Sequence, residues 1–395
     1  MDAVLSSVRE LVRKYQPSAV EMRRYLHVHP ELSGEERGTA AFVAEKLREF
    51  GIPFEEYLDG TGIVGYIYGE NPRKTVVALR ADMDALPIAE ATNLPFSSQN
   101  PGVMHACGHD FHTANLLGTA LVLNELRSQF SGTAMLIFQP SEEKIPSGAE
   151  RMLQAGIFEN VKPKSIIALH VDPDLETGTI GTRKGAFLAS ADELFITIHG
   201  KGGHGAYPQQ CIDPIVIAAQ TIMTLQTLVS RNANPLNPTV VNIGRIEGLG
   251  RTNVIPSEVT LAGTIRVFDK EWREKVHRRI AEIVENTAKA YGGSATIEIK
   301  KGYPPLLNDE KLTQSCVESL QAIFGTDHII ESPMRMGADD FSYFAEKIPA
   351  AYLRLGVRNE AKGITAPLHA DTFDLDEDAF ETGMMAMAWL ALRRF

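Results

Sequence analysis

The chain has 395 residues, a length that suits two domains better than one. Hydrophobic residues make up 44% and charged residues 23%, enough for a large buried core without disulfide staples. A net charge of -11, with no Lys/Arg block to offset it, argues against nucleic-acid and anionic-membrane partners.

In chain order, Met1 to Tyr25 mixes charged residues with apolar ones at helical spacing. It lacks the uninterrupted apolar run of a secretion signal. No segment approaches the roughly 20 apolar residues needed to span a bilayer. Three cysteines, Cys107, Cys211 and Cys316, give no disulfide framework, so a cytoplasmic location is expected. Thr75–Arg80, Thr133–Phe138 and Ser165–His170 are apolar runs too short for helices and are predicted as buried strands. Ala351–Leu355 is a fourth candidate. Helices over Thr113–Phe130 and Ala149–Ala155 separate the first three. Strands alternating with helices imply an α/β fold, a mainly parallel sheet covered by helices on both faces.

The middle of the chain has a different rhythm. A half-exposed strand at Leu194–Ile198 precedes a helix from about Pro214 to Ser230. Strands at Thr239–Ile246 and Glu258–Val267, a charged helix over Lys270–Tyr291 and a strand at Ala295–Lys300 follow. Strand-helix-strand-strand-helix-strand is the split βαβ, or ferredoxin-like, order. The expected organisation is a first domain over 1–185 and 303–395, interrupted by an inserted α+β domain over 186–302.

Four segments gather metal-type ligands. They are Arg80-Ala-Asp82-Met-Asp84, His105-Ala-Cys107-Gly-His109-Asp-Phe-His112, Gln139-Pro-Ser-Glu142-Glu143 and His170. His369 is a late addition. Asp82, Asp84, Glu142, Glu143 and His170 fall at predicted strand ends, where open α/β sheets bind ligands. Thiolate, imidazole and carboxylate together suit a borderline divalent metal such as Zn or Mn. Singly, each has a plainer reading: Asp82 and Asp84 as turn or helix caps, Glu142-Glu143 as a solvated loop, Cys107 and His170 as packed residues. Three histidines and a thiol within eight residues are harder to explain without a metal. In the insert, Gly200-Lys-Gly-Gly-His204-Gly-Ala-Tyr-Pro208 lacks the strand and helix context of a phosphate loop. It reads as a tight turn carrying either a surface histidine or a hydrogen-bond donor to substrate.

Taken in order, these segments resemble the aminoacylase and carboxypeptidase type of metallopeptidase, in its N-acyl-amino-acid amidohydrolase branch. The resemblance starts at Arg23-Arg-Tyr-Leu-His27-Val-His29-Pro-Glu-Leu-Ser33 and continues through the ligand-rich segments. Gly203-His204-Gly-Ala-Tyr-Pro208, Asn253-Val-Ile-Pro256, Gly263-Thr-Ile-Arg266, Asp340-Phe-Ser342 and Leu368-His369 complete it. It implies two divalent metals, Zn or Mn, held by Cys107, His109, Glu143, His170 and His369. It implies Glu142 as general base, Asp84 as the residue that orients the site, and His204 from a partner subunit's lid as oxyanion donor. Asn253 and Arg266 would hold a substrate carboxylate, with Gly337 nearby. The implied activity is amide hydrolysis of N-acyl amino acids by a homodimer joined through the insert; the alternatives are a dipeptidase or carboxypeptidase, or a non-catalytic metal binder. Asp82 is not expected as a ligand, and His27 and His29 are expected to pack the first helix. Lys144-Ile-Pro-Ser147 and Asp339 depart from the commonest pattern of the resemblance.

Overall fold

The computed structural model describes residues 2–395, which form two compact units. The first comprises the chain up to Gly185, Leu307–Pro333 and Asp340–Phe395. The second comprises Ala186–Leu306 and Met334–Asp339. Among the described residues, no helix is long and apolar enough to cross a membrane.

In the first unit, helices α1 (Asp2–Val28) and α2 (Arg37–Glu49) precede strands β1 (Phe54–Tyr57), β2 (Gly62–Tyr68) and β3 (Val76–Asp82). Then come α3 (His109–Glu125), β4 (Thr133–Gln139), α4 (Gly148–Gln154), β5 (Ser165–Glu176) and β6 (Ile180–Thr182). The sheet order is β1-β2-β4-β3-β5, followed by Ala350–Arg358, β6 and Ile329–Glu331. Its heart is parallel: β4, β3, β5 and Ala350–Arg358 run the same way. Every residue of β4 is buried, as a parallel strand under helices on both faces requires. The rims depart from the expected pattern, with antiparallel pairing by β1, β2 and β6. Two glycines break up the apolar run of β2. A Cβ on Gly65 would meet Leu47 of α2 at 3.2 Å, so the gap in the pattern is where that helix packs close.

Two boundaries that matter for function also differ from expectation. His170 was expected to end its strand, but β5 runs on to Glu176. Pairing with β3 stops at Ala168 while pairing with Ala350–Arg358 continues through Asp172. His170 therefore lies beyond the last rung shared with β3, level with the end of that strand, although it is inside β5. Helix α3 starts at His109, not Thr113, and Gly108 caps it with φ +82°. A Cβ on Gly108 would lie 2.6 Å from Val171, so that position needs glycine for space as well as for conformation.

The N-terminal histidine expected merely to pack α1 does more. Arg23, 1% exposed, pairs with Asp110 at 3.0 Å, Asp374 at 3.0 Å and Glu377 at 3.1 Å. His27 bridges Asp110 at 2.8 Å and Glu90 at 3.2 Å. Burial opposes its charge, but the hydrogen bonds to Asp110 and Glu90 outweigh burial and raise its pKa to about 9. The network ties α1 to the first turn of α3.

The second unit carries strands Asp192–His199, Thr239–Glu247, Glu258–Val267 and Ser294–Lys301, with helices Pro214–Thr227 and Lys270–Ala290. All neighbouring pairs are antiparallel, and Glu258–Val267 and Asp192–His199 are the inner strands. This is the ferredoxin-like arrangement. Leu194, Ile196 and Ile198 bury one sheet face together with Val276, Ile280 and Val284 of the long helix. Buried Asp192 accepts hydrogen bonds from Arg273 (2.9 Å), the Gly302 amide (3.1 Å) and the His277 ring (2.8 Å). Ala191 N–H donates to Tyr303 C=O at 3.0 Å. The start of the first strand and the exit after the last are thereby fastened together. Residues 334–339, which the sequence reading set in 303–395, group with this unit: Leu188 bridges Arg335, and the Ala189 amide donates to the carbonyls of Arg335 and Gly337.

Candidate metal centre

The carboxyl ends of β3 and β4, the start of α3 and the middle of β5 converge in the first unit. Asp84 lies just past β3, is 1% exposed and accepts on every side. It takes Ser33 Oγ at 2.6 Å and Glu143 N–H at 2.9 Å on Oδ2. His109 Nδ1 lies 3.2 Å from Oδ1 and 2.9 Å from the Asp84 carbonyl, so its N–H donates to Asp84. Burial opposes the Asp84 charge, but these donors, led by His109, hold its pKa below the usual carboxylate range. The other nitrogen, His109 Nε2, is buried without a hydrogen bond, as is Glu143 Oε1.

Those two orphaned atoms sit among potential ligands. Donor atoms of Cys107, His109 and His170 lie within 4.8 Å of one another, as do those of Cys107, Glu143 and His369, and those of His109, Glu142 and Glu143. Cys107 Sγ is 3.5 Å from His170 Nε2, while His170 Nδ1 donates to the Val171 carbonyl at 2.7 Å. His369 Nε2 is 3.3 Å from Glu143 Oε1, and its backbone N–H is anchored on Ala106 C=O at 2.8 Å. Burial, then the nearby Glu143 charge, pushes the Cys107 thiol up to about 12. Buried polar atoms without partners are costly. Here they face sulfur, nitrogen and oxygen donors of the types that hold Zn or Mn, so the residues fit a cation. His109, with one nitrogen donating to a carboxylate and the other open, has the arrangement common to metal-bound histidines.

Asp82 does not join this set. Its carboxylate is taken by Arg80 and by His112 Nδ1. His112 Nε2 accepts Val171 N–H at 2.9 Å, which leaves neither of its nitrogens for a metal. The pair steadies the Val171 peptide, on whose carbonyl His170 leans. His105 is buried with both ring nitrogens unpartnered.

The profile of peptidase family M20/M25/M40 matches residues 78–393, well over half of the chain. The chain belongs to this family. It is 40% identical over 385 residues to an N-acetylcysteine deacetylase of Bacillus subtilis, covering 96% of this chain and 97% of that one. It is 39% identical over 396 residues to thermostable carboxypeptidase 1 of Saccharolobus solfataricus, covering 100% and 99%. The solved structure of the Bacillus subtilis YXEP protein, described as a dinuclear metal-binding peptidase of family M20, superposes with TM-score 0.84 at 36% identity. That match covers 97% of this chain and 100% of the other. This M20 protein is a hydrolase acting on amide bonds.

Of the M20 residues named from sequence, Asp84, Cys107, His109, Glu142, Glu143, His170 and His369 come together in the first unit. His204, Asn253, Arg266 and Gly337 belong to the second. There, His204 pairs with Val254 in a two-residue ladder, and Gly205 N–H donates to Asn253 C=O at 2.9 Å, so His204 and Asn253 are neighbours. His204 Nδ1 accepts Ala206 N–H at 3.0 Å, which puts the ring proton on Nε2 as an available donor. Arg266 Nη1 donates to the Ile265 carbonyl at 3.2 Å, and Gly337 is exposed with open space where a Cβ would stand. Reasoning from sequence missed the supports of the centre: Ser33 on Asp84, Glu36 on the Ser141 amide, and Asp340 holding Arg80, Gln139 and the Ala149 amide. Ser33 and Asp340 lie in quoted motif segments, which was the one available signal.

Glu36 has a pH signature of its own. Burial, then the Asp84 charge, raises its pKa from 4.5 to about 7. The folded state thus prefers the protonated form. Its destabilising contribution is absent below pH 4.5, grows as pH rises to about 7, and is constant above. In the metal-free protein, Glu36→Gln is expected to stabilise by on the order of 3 kcal/mol at pH 8, with the gain vanishing near pH 4. Urea unfolding at both pH values measures this; an equal difference at both would refute it.

Proposed function

We propose that this chain hydrolyses the amide bond of N-acyl amino acids, with Cys107, His109, Glu143, His170 and His369 holding two divalent ions, Zn or Mn. The observation that carries the reading is the convergence of these donors with Glu142, which is 6% exposed beside His109 and Glu143. Bound there, the ions would supply Lewis acidity and make water a competent nucleophile near neutral pH. Glu142 takes the proton of the attacking water and returns it to the leaving amine nitrogen. The tautomer of His204 suits it to donate from Nε2 to the oxyanion that develops on the carbonyl. Arg266 and Asn253 hold the substrate carboxylate, Arg266 through its planar fork, and Gly337 leaves room beside it. We place the enzyme in the cytoplasm, where Cys107 stays reduced.

Metal-reconstituted protein is to be assayed on N-acetyl, N-benzoyl and longer N-acyl amino acids, with the acyl group and the side chain varied separately. The expected result is turnover of blocked amino acids that chelation abolishes and metal restores. The carboxypeptidase among the relatives favours a second reading, cleavage of unblocked peptides from the carboxyl end. Activity confined to unblocked dipeptides and peptides would select that reading.

The proposed dimer acts through its insert, with His204 of the partner subunit completing each site. Mixing inactive His204→Ala and Glu142→Gln subunits is expected to restore about a quarter of wild-type activity, because half the dimers are mixed and each has one complete site. No recovery in proven heterodimers would exclude action in trans.

A further inference from the structure

The loop that carries Glu142 turns through a residue in an unfavourable conformation. Ser141 has φ +53°, a left-handed backbone that costs a residue with a Cβ on the order of 1 kcal/mol. Something must hold it there. Its carbonyl accepts Gly148 N–H at 2.9 Å. Its own N–H donates to Glu36 Oε1 at 2.7 Å, and its hydroxyl lies 3.4 Å from the same oxygen. Glu36 is fully buried and comes from the residue just before α2, 105 positions away in the chain.

The peptide on the other side of Glu142 is held as well, by the bond from Glu143 N–H to Asp84. Both clamps trace to one reverse turn. Glu35 N–H bonds back to Leu32 C=O at 2.8 Å, and Gly34, the third residue of that turn, has φ +87°. The turn presents Ser33 to Asp84, and Glu36 follows it to reach Ser141. Glu142 thus stands between a residue whose backbone Glu36 and Gly148 hold and a following peptide that Asp84 holds. Release of the first would let Ser141 relax to a right-handed or extended φ and swing the next side chain.

We propose that Glu36 is a positioning residue for Glu142, holding Ser141 in its left-handed turn through the Ser141 amide. The inference rests on the reading of Glu142 as the base. Glu36 acts by fixing the direction in which Glu142 points.

The test uses the metal-loaded full-length enzyme and its fastest N-acyl amino acid substrate. Glu36→Gln keeps an acceptor oxygen at the same reach and is expected to hold kcat within threefold of wild type. Glu36→Met keeps the length and loses the acceptor. It is expected to lower kcat at least tenfold, with KM within threefold and metal content by elemental analysis unchanged. The same Glu36→Met change in a Glu142→Gln background is expected to cost less than twofold, because there is no longer a base to aim. Wild-type kcat in Glu36→Met, or an equal loss in both backgrounds, overturns the proposal. If Glu36→Met fails to fold, Glu36→Asp takes its place: it keeps the charge but withdraws the acceptor, and wild-type kcat there is equally fatal. Near-normal turnover by Glu142→Gln itself would sink the base role. A neutral Glu36→Met in an enzyme that does depend on Glu142 would sink only the positioning role.

Discussion

Glu142→Gln is expected to lower kcat by at least two orders of magnitude while leaving the metal content unchanged. The amide has the size and shape of the carboxylate, so the packing around this 6% exposed side chain survives. It cannot take a proton from water, and a positioned general base contributes roughly 10²–10⁴ in rate. Glu143, next in the chain, does not substitute, because its Oε1 is turned to His369 and its backbone to Asp84. Steady-state kinetics and elemental analysis on one preparation make the measurement. Near-normal turnover refutes the base role, and loss of metal would move Glu142 into the ligand set.

Asp84→Asn is expected to weaken metal binding about 10–100-fold, the usual range for a support behind a liganding histidine. All three of its partners, Ser33 Oγ–H, Glu143 N–H and His109 Nδ1–H, are donors. An amide accepts with one atom only, so its NH2 must face at least one of them. Either His109 loses the carboxylate that orients its open Nε2, or the Glu143 peptide loses its anchor. Metal titration of the chelator-stripped protein reads the affinity directly. An unchanged dissociation constant, with folding intact, would show that Asp84 fills space and no more.

The parallel heart of the sheet was legible because β3, β4 and β5 are continuous apolar runs. Their far ends were not, because a strand end that serves a site carries polar residues. Asp82, Gln139 and His170 are all buried, and each is stabilised by a partner distant in sequence. The first turn of α3 was hidden for a related reason. His109, Asp110 and His112 are buried on a helix enclosed on every side, so no amphipathic stripe marks it. Cys107, His109 and Glu143 could be named because they sit in short ligand-rich motifs, whereas His170 and His369 stand alone and were named through the family resemblance. Their supports could not, since the bonds from Ser141 to Glu36 and from Arg80 to Asp340 join residues 105 and 260 positions apart. No periodicity announces such a bond. The nearness of His204 and Asn253 was equally invisible, because the ladder that joins them is two residues long.

The fastening of Asp192 to Gly302, and of Ala191 to Tyr303, has a genealogical meaning. A segment whose two ends meet can be spliced into a host chain at one peptide bond, or removed from it, without stretching either partner. The bonds that close it, through Asp192, Arg273 and His277, all belong to the segment itself. The host therefore need contribute nothing to its closure. Such an insert keeps its two ends together whatever happens to its outer loops, so long as the strand that meets Arg335 and the residues proposed to serve the site are kept.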